Sequence, residues 1–392
     1  MSERVSEEVL EGLRELQPVL RERAQEAEDR RVLSAESIKA LEETGFFRLL
    51  QPKIFGGLEA DPMYFYNGVR IIASACGSTG WVSSVVGVHP WQLGLFSAQA
   101  QQDVWGSDID TRMSSSYAPT GKATPVEGGF RLSGKWSFSS GCDHATWVLL
   151  GGMVFGEDGK PQDFRTFLLP STDYTIKDVW DVVGLRGTGS NDILVNDAFV
   201  PEYRSLSIND TAKCACPGHE VNGGPLYRLP WGSIFPYAIT VPVVGMGYGA
   251  YDAHVAHQRE RVRVAYLGQK SAEDPYAQVR VAQASCDLDA SWLQLEHNMR
   301  ELMQHAVDGT KVPMSVRLRV RRDQVTATGR AINAIDRLFE NSGARVLASG
   351  TPIQRFWRDA HAGRVHAIND PERALSMFGQ GEFGVPFTDA WV

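Results

Sequence analysis

The sequence is poor in cysteine and has no long apolar run. Five cysteines in 392 residues are few and odd in number, which indicates reduced thiols in a cytoplasm and not a disulfide framework. No segment approaches the ~20 apolar residues of a membrane span. The charged start, MSERVSEEVLEGLRELQP, lacks the apolar core of a signal peptide. We therefore expect a cytoplasmic protein that does not enter a membrane.

Basic residues are also in deficit. There are 39 Lys and Arg against 47 Asp and Glu, a net charge of −8. A general nucleic-acid-binding protein would need a basic face to replace phosphate counterions, so that class is disfavoured. Hydrophobic residues make up 43% of the chain and aromatic residues 10%, enough for a large core and for a pocket that holds a flat, apolar ligand.

The chain divides into three regions by pattern. Residues 1–110 look helical, with Ser34 and Asp61-Pro62 as helix starts and an almost uncharged helix over residues 78–96 that we expect to break near Pro90. Residues 111–206 alternate strand-like runs with Gly and Asn-Asp turns. Residues 207–392 contain a loop, three long helices (one predicted over 243–266) and a short helix that starts at Asp370-Pro371. These patterns predict a multidomain α+β protein with an N-terminal helical domain, a central antiparallel β-barrel or sandwich and a C-terminal four-helix bundle.

Two segments carry a family resemblance. VVGLRGTGSNDILVNDAFVP (182–201) and SGTPIQRFWRDAHAGRVHAINDPERA (349–374) resemble motifs of the acyl-CoA dehydrogenase superfamily. GSTGWVSSVVGVH (77–89), SSSYAP (114–119) and SSGCDHA (139–145) are similar to its flavin-dependent monooxygenase branch, the oxygenase components of two-component aromatic hydroxylases, among them hydroxylases of 3-hydroxy-9,10-seco steroids. The resemblance covers essentially the whole chain.

The resemblance implies a reaction and a set of partners. We expect reduced FMN or FAD to arrive by diffusion from a separate NAD(P)H-dependent flavin reductase and to react with O2 to a C4a-hydroperoxide. A phenol would then be hydroxylated, most simply ortho to its hydroxyl, to give a catechol. The family is commonly tetrameric, so a homotetramer is expected.

An acyl-CoA dehydrogenase is the alternative with a different reaction. It needs a carboxylate base for the α-proton, and none precedes Ile353-Gln354-Arg355; Glu340 lies nearby in what looks like an ordinary helix end. A relative that oxygenates nitrogen or sulfur is a second alternative, and a non-enzymatic helical scaffold is a third.

Four residues are candidates for the chemistry. His366 is the first choice for a base that drains the phenol proton, because the ordinary pKa of histidine lies near neutral pH. Asp370 could orient it if the helix continued. Ser140 could stabilise the flavin adduct, although a Ser-Ser-Gly turn is common. His89 is either a polar group at the substrate or a core histidine.

The resemblance also implies cofactor contacts. Arg261 best matches a phosphate contact, and Ala344 and Arg345 resemble a bundle turn that reaches the flavin of a neighbouring subunit. Trp81 could pack on the ring system, though a core tryptophan is the default interpretation. The remaining candidates are Ser115, Ser116, Tyr117, Phe138, Ser139, Ser140, His366 and Ala367.

Other motifs do not support a competing site. GLRGTGSN lacks the GxGxxG spacing of a dinucleotide-binding loop. Cys214 and Cys216 with His219 lack a second pair at zinc-finger spacing, so no metal site is predicted. Phe138 stands where the monooxygenases would be expected to have Trp, and the loop over 207–224 also differs. A steroid-derived phenol is therefore the first candidate substrate, and a polyketide or other aromatic phenol the second.

Overall fold

The computed structural model describes residues 2–156, 158–264 and 267–386. Its N-terminal part is helical, and two predicted caps are confirmed. Ser34 Oγ accepts a hydrogen bond from Ser37 N, and the Asp61 carboxylate accepts one from Met63 N with Pro62 as the first helical residue. The helices are α1 (Ser2–Arg30), α2 (Ala35–Glu43), α3 (Pro62–Ala75), α4 (Gly77–Leu93) and α5 (Ala98–Trp105).

Helix α4 is buried along its whole length. The predicted break near Pro90 is wrong, because the helix continues through Pro90 to Leu93. Proline removes one backbone hydrogen bond, but packing on all sides of the helix outweighs that local loss. Helix α4 is thus one continuous, buried helix.

Within the described part of the chain, the strands of the central sheet are β1 (Met113–Val126), β2 (Gly129–Ser139), β3 (Trp147–Phe155), β4 (Pro161–Pro170), β5 (Thr175–Lys177), β6 (Asn191–Pro201) and β7 (Ser205–Ser207). Their order in the sheet is β5-β6-β2-β1-β3-β4-β7. Most neighbours are antiparallel, but β1 and β3 run parallel, with Met113 opposite Trp147. The prediction of a wholly antiparallel β structure is wrong at this pair, since alternation along a strand does not specify the direction of its partner.

The C-terminal part confirms the predicted bundle of long helices. The first of them starts at Trp231 and ends at Glu260. The prediction that it continues to residue 266 is wrong, because Val262–Arg263 instead pair as a strand with Gln269–Lys270; Tyr266 itself lies outside the described residues. The elements are α6 (Ile208–Ala212), α7 (Trp231–Glu260), β8 (Val262–Arg263), β9 (Gln269–Lys270), α8 (Pro275–Val307), α9 (Met314–Ser342), α10 (Pro352–Arg364) and α11 (Pro371–Glu382).

The buried side chains form two main cores. One joins the N-terminal and C-terminal helices, with Phe65 of α3 and Tyr237 of α7 among its members. The other lies within the sheet around Trp136, Phe167 and Ile193. Across the described ranges, no helix is both long and apolar enough to span a bilayer.

Candidate active site

A cavity of about 610 Å³ lies where the sheet meets both sets of helices. This volume is within the range of small-molecule sites. Its walls come from α4, the bulged parts of β1 and β2, the segment before β6, and α7, α9 and the end of α10. Most of the residues predicted from sequence line it: Trp81, Ser115, Ser116, Tyr117, Phe138, Ser140, His366 and Ala367.

Irregularities in two strands aim their side chains into this cavity. The pairing of β1 with β3 shifts between Ser116 and Gly121, and that of β2 with β6 shifts between Trp136 and Ser139. Bulges of this kind turn side chains away from the regular pleat and are frequent beside active sites. Phe138 has a φ of 67°, which is uncommon for a residue with a bulky side chain.

A chain of buried hydroxyls backs one wall. Trp81 Nε1 lies 3.2 Å from Ser140 Oγ, which lies 2.7 Å from Ser190 Oγ. Ser190 Oγ lies 2.6 Å from Thr188 Oγ1, which donates to the Leu185 carbonyl at 2.8 Å. The carbonyl can only accept, so Thr188 receives its bond from Ser190, and Ser190 receives its bond from Ser140. Ser140 therefore donates its hydroxyl hydrogen to Ser190 within the wall, and the lone pair that remains on its Oγ is available to a ligand in the cavity.

His366 lines the same cavity and caps a short helical turn. Its Nδ1 accepts a hydrogen bond from Ile368 N at 3.1 Å, and its ring packs tilted against Trp81, with centroids 5.9 Å apart. Burial lowers the pKa of His366 to about 4, because desolvation disfavours the charged imidazolium. The resting ring is therefore neutral.

A buried amide fixes the segment that carries His366. Asn369 is fully buried, and its Oδ1 accepts from Thr240 Oγ1 at 2.9 Å and from Gln324 Nε2 at 2.8 Å. Its Nδ2 donates to the Gly363 carbonyl at 3.0 Å. These bonds tie the turn to α7, α9 and α10, so the position of His366 is set by three helices.

Tyr117 links the cavity to His89. The hydroxyl of Tyr117 donates to Gln92 Oε1 and lies 3.4 Å from His89 Nδ1. His89 is fully buried, and its Nε2 has no hydrogen-bond partner among the residues that the structure describes. Burial lowers the pKa of His89 to about 3. His89 is not among the residues that line the cavity; it contacts Tyr117, which does line it.

Three predicted residues lie at the end of the bundle and not in the cavity of this chain. Arg261 donates to the Asn341 carbonyl at 2.6 Å. Ala344 and Arg345 are exposed on the turn after α9. Burial lowers the pKa of Arg261, with a further contribution from the charges of Arg263 and Arg345. Arg261 thus lies near the charges of Arg263 and Arg345, outside the cavity.

Two other predicted residues have local structural partners. The Asp370 carboxylate accepts from the backbone N–H of Glu372 and Arg373. The idea that Asp370 orients the His366 ring is therefore wrong, because the helix does not continue and a new one starts there. Ser139 is buried, with its Oγ donating to Ser114 Oγ at 3.1 Å, which places it behind the cavity wall.

Sequence reasoning missed several residues of the wall. Trp180 makes an edge-to-face contact with Phe138, and Phe235 stacks on Trp231. Arg321 is almost fully buried and donates to Gln324 Oε1 and the Ile368 carbonyl. Of these wall residues, only Ser190 had a signal in the sequence, since it follows a glycine turn in the GTGS run. The helical residues gave none, because nothing local distinguishes them from core.

Comparisons with known proteins agree with this architecture. The family described as "Acyl-CoA dehydrogenase, C-terminal domain" matches residues 237–371. A crystal structure of 3-HSA hydroxylase from Rhodococcus sp. RHA1 superposes with a TM-score of 0.95 at 60% identity, covering 98% of this chain and 99% of that one. The fold and site therefore define an acyl-CoA dehydrogenase-like flavoprotein.

Two curated relatives show which branch of these flavoproteins the chain resembles. The flavin-dependent monooxygenase, oxygenase subunit HsaA of Rhodococcus jostii (strain RHA1) is 60% identical over 98% of this chain and 100% of its own length. The FADH(2)-dependent resorcinol hydroxylase, oxygenase component, of Rhizobium sp. (strain MTP-10005) is 34% identical over 94% and 92%. The chain belongs to the family of flavin-dependent monooxygenase oxygenase subunits. The dehydrogenase alternative is not favoured.

Proposed function

We propose that this enzyme hydroxylates a phenol to a catechol, ortho to the existing hydroxyl, with reduced flavin and O2 as co-substrates. The observation that carries the proposal is the cavity in which Ser140 and His366 face an apolar space walled by Trp81 and Phe235. The resorcinol hydroxylase among its relatives acts, by its name, on a phenol with FADH2.

The residues of the cavity suit a reduced isoalloxazine. The ring system is flat, with an apolar face and a polar edge, and the cavity offers aromatic walls and serine hydroxyls at one side. Ser140 presents a lone pair, which matches the N5–H that reduced flavin carries and oxidised flavin lacks. When bound, reduced flavin supplies the electrons and the site at which O2 is activated.

The protein's own residues exclude water and hold the reactants. Val85, Ile239 and Phe235 form apolar walls, and dryness protects an activated oxygen from wasteful release as hydrogen peroxide. Ser140 would hold the flavin edge, and His366 would face the phenol oxygen. Ser115, Ser116 and Tyr117 would complete the polar edge from the bulge of β1.

The finer assignments follow the same resemblance. A 3-hydroxy-9,10-seco-steroid phenol is the first candidate, supported by 60% identity to a protein named 3-HSA hydroxylase. FMN and FAD are both candidates. A separate NAD(P)H-dependent reductase would supply them, as the word "subunit" in a relative's name suggests. We propose that the protein is cytoplasmic, since five free thiols suit a reducing compartment. The proposal that it is a homotetramer follows from the family resemblance alone.

The test is a panel of phenols offered with photoreduced FMN or FAD and then air. We expect catechol from at least one steroid-like phenol, with hydrogen peroxide below the level of a protein-free control. An acyl thioester should leave oxidised flavin unreduced under anaerobic conditions. Peroxide alone from every phenol, with no oxygenated product, would refute phenol hydroxylation.

A further inference from the structure

The imidazole of His366 is locked in one tautomer by its own backbone. Ile368 N–H can only donate, and its acceptor is His366 Nδ1 at 3.1 Å. A ring nitrogen that accepts a hydrogen bond carries no proton, so the proton of the neutral ring lies on Nε2. Nδ1 is engaged, which leaves Nε2 as the ring nitrogen available to a ligand in the cavity.

The surroundings hold this arrangement in place. The segment after His366 is fixed by Asn369, whose side chain bonds to α7, α9 and the Gly363 carbonyl. The charged residues that line the same cavity are Arg321 and Arg373, and both are cations, which disfavour a second positive charge nearby. Desolvation by burial lowers the pKa of His366 to about 4, so the ring stays neutral at physiological pH.

A neutral imidazole of this tautomer cannot take a proton at Nε2, because one is already there. It can donate one hydrogen bond. A hydrogen bond to the charged form of an acid lowers that acid's pKa, so a donor here would favour an ionised phenol without itself becoming charged.

We propose that His366 acts on the substrate as a hydrogen-bond donor from Nε2 to a phenolate oxygen, and not as the base that removes the phenol proton. The inference rests on the proposed function for the identity of the ligand as a phenol. The proton that the phenol releases when it ionises passes to solvent; no bond of the imidazole forms or breaks.

Two substitutions separate donor from base. His366→Gln places an amide N–H near the position of Nε2 but offers no base. His366→Asn places its amide oxygen near the position of Nδ1, where it can still cap the turn, but leaves the position of Nε2 empty. The first variant keeps the proposed function of the ring, and the second keeps its structural role.

The probe is 4-nitrophenol, titrated spectroscopically on the flavin-free protein. In the wild type we expect the apparent pKa of the bound phenol to fall by about one unit or more relative to the free phenol. His366→Gln should keep most of this shift, and His366→Asn should lose it. A shift abolished equally in both variants, while circular dichroism remains unchanged, would overturn the donor role.

Nitrogen NMR of the ¹⁵N-histidine-labelled protein gives an independent measurement, with His366→Asn to assign the signal. We expect a pyridine-type Nδ1 and a protonated Nε2 for His366. A protonated Nδ1 would overturn the tautomer assignment.

The two proposals fail separately. If phenols bind with the expected shift but no phenol is hydroxylated with reduced flavin, the donor role stands and the proposed reaction falls. If the wild type hydroxylates phenols but His366→Gln forms no more product per oxidised flavin than His366→Asn, the reaction stands and the donor role falls.

Discussion

The indole N–H of Trp81 donates to Ser140 Oγ at 3.2 Å, which joins the buried helix α4 to the end of strand β2. Because the indole can only donate, this bond takes one lone pair of Ser140 and leaves the hydroxyl proton for Ser190. The relationship decides what Ser140 can offer to a ligand, namely its remaining lone pair.

Removing the next hydroxyl should therefore change flavin selection. In Ser190→Ala, Ser140 loses its acceptor and can turn its proton toward the cavity. We expect the preference for reduced over oxidised FMN to fall by about tenfold, because oxidised N5 accepts where reduced N5–H donates. Equilibrium binding of both redox states measures the ratio. Ser291→Ala removes a buried hydroxyl from α8 and should leave the ratio unchanged; an equal loss of both affinities in Ser190→Ala would argue against the lone-pair role.

Asp359 gives the stability of the protein a pH dependence. Its carboxylate is fully enclosed and accepts from Leu185 N at 2.6 Å, and burial raises its pKa to about 6. The native state then holds the proton more tightly than the unfolded state, whose Asp pKa is ~3.9. Protonated Asp359 thus adds to the free energy of unfolding in full below the unfolded-state pKa of ~3.9, and this contribution is lost as the pH rises through the native-state pKa of about 6.

The comparison uses Asp359→Asn, which keeps an acceptor but carries no charge. Relative to this variant, the wild type should lose roughly 2 kcal/mol of unfolding free energy between pH 4 and 7. Urea unfolding at both pH values measures the difference, in which the other titrating groups largely cancel. A difference that does not vary with pH would contradict the raised pKa.

Arg261 tests the predicted phosphate contact. It lies in a cationic cluster with Arg263 and Arg345, away from the cavity of its own chain. We expect Arg261→Gln to weaken FMN binding by about tenfold, because a charge-assisted bond to phosphate is lost. Riboflavin, which has no phosphate, should bind as before. Arg259→Gln, two positions away, serves as the matched control, and equal losses for FMN and riboflavin would remove Arg261 from this role.

Helix α4 lies so close to α3 that one methyl group should matter. A Cβ on Gly80 would overlap Ala73, whereas a Cβ on Gly329 in α9 would meet no atom of the described residues within 4 Å. Gly80→Ala should lower the free energy of unfolding by about 1–3 kcal/mol, because the added methyl overpacks the contact. Gly329→Ala should raise it by about 0.5–1 kcal/mol, because alanine has the higher helix propensity. Urea denaturation midpoints measure both, and a neutral Gly80→Ala would show that α3 and α4 can separate without cost.

Local signals were enough for much of the fold. Ser34, Asp61 and Asp370 each cap a helix where the sequence predicted a start. The order of helices, strands and helices followed from the change in periodicity. Local signals did not predict the parallel direction of β1 against β3 or the course of α4 through Pro90, because both depend on neighbours distant in the chain.

The candidate site shows the same division. The sequence by itself identified the serine pairs, Trp81 and His366 as candidates for contacts with a ligand, because those motifs are contiguous and chemically distinctive; their role stays a prediction. Only the tertiary structure decided which atom each one offers. Ser140 meets Trp81 across 59 positions and Ser190 across 50, and Asp359 meets Leu185 across 174. Hydrogen-bond direction depends on the partner, and in these cases packing between distant segments, not local pattern, supplies the partner.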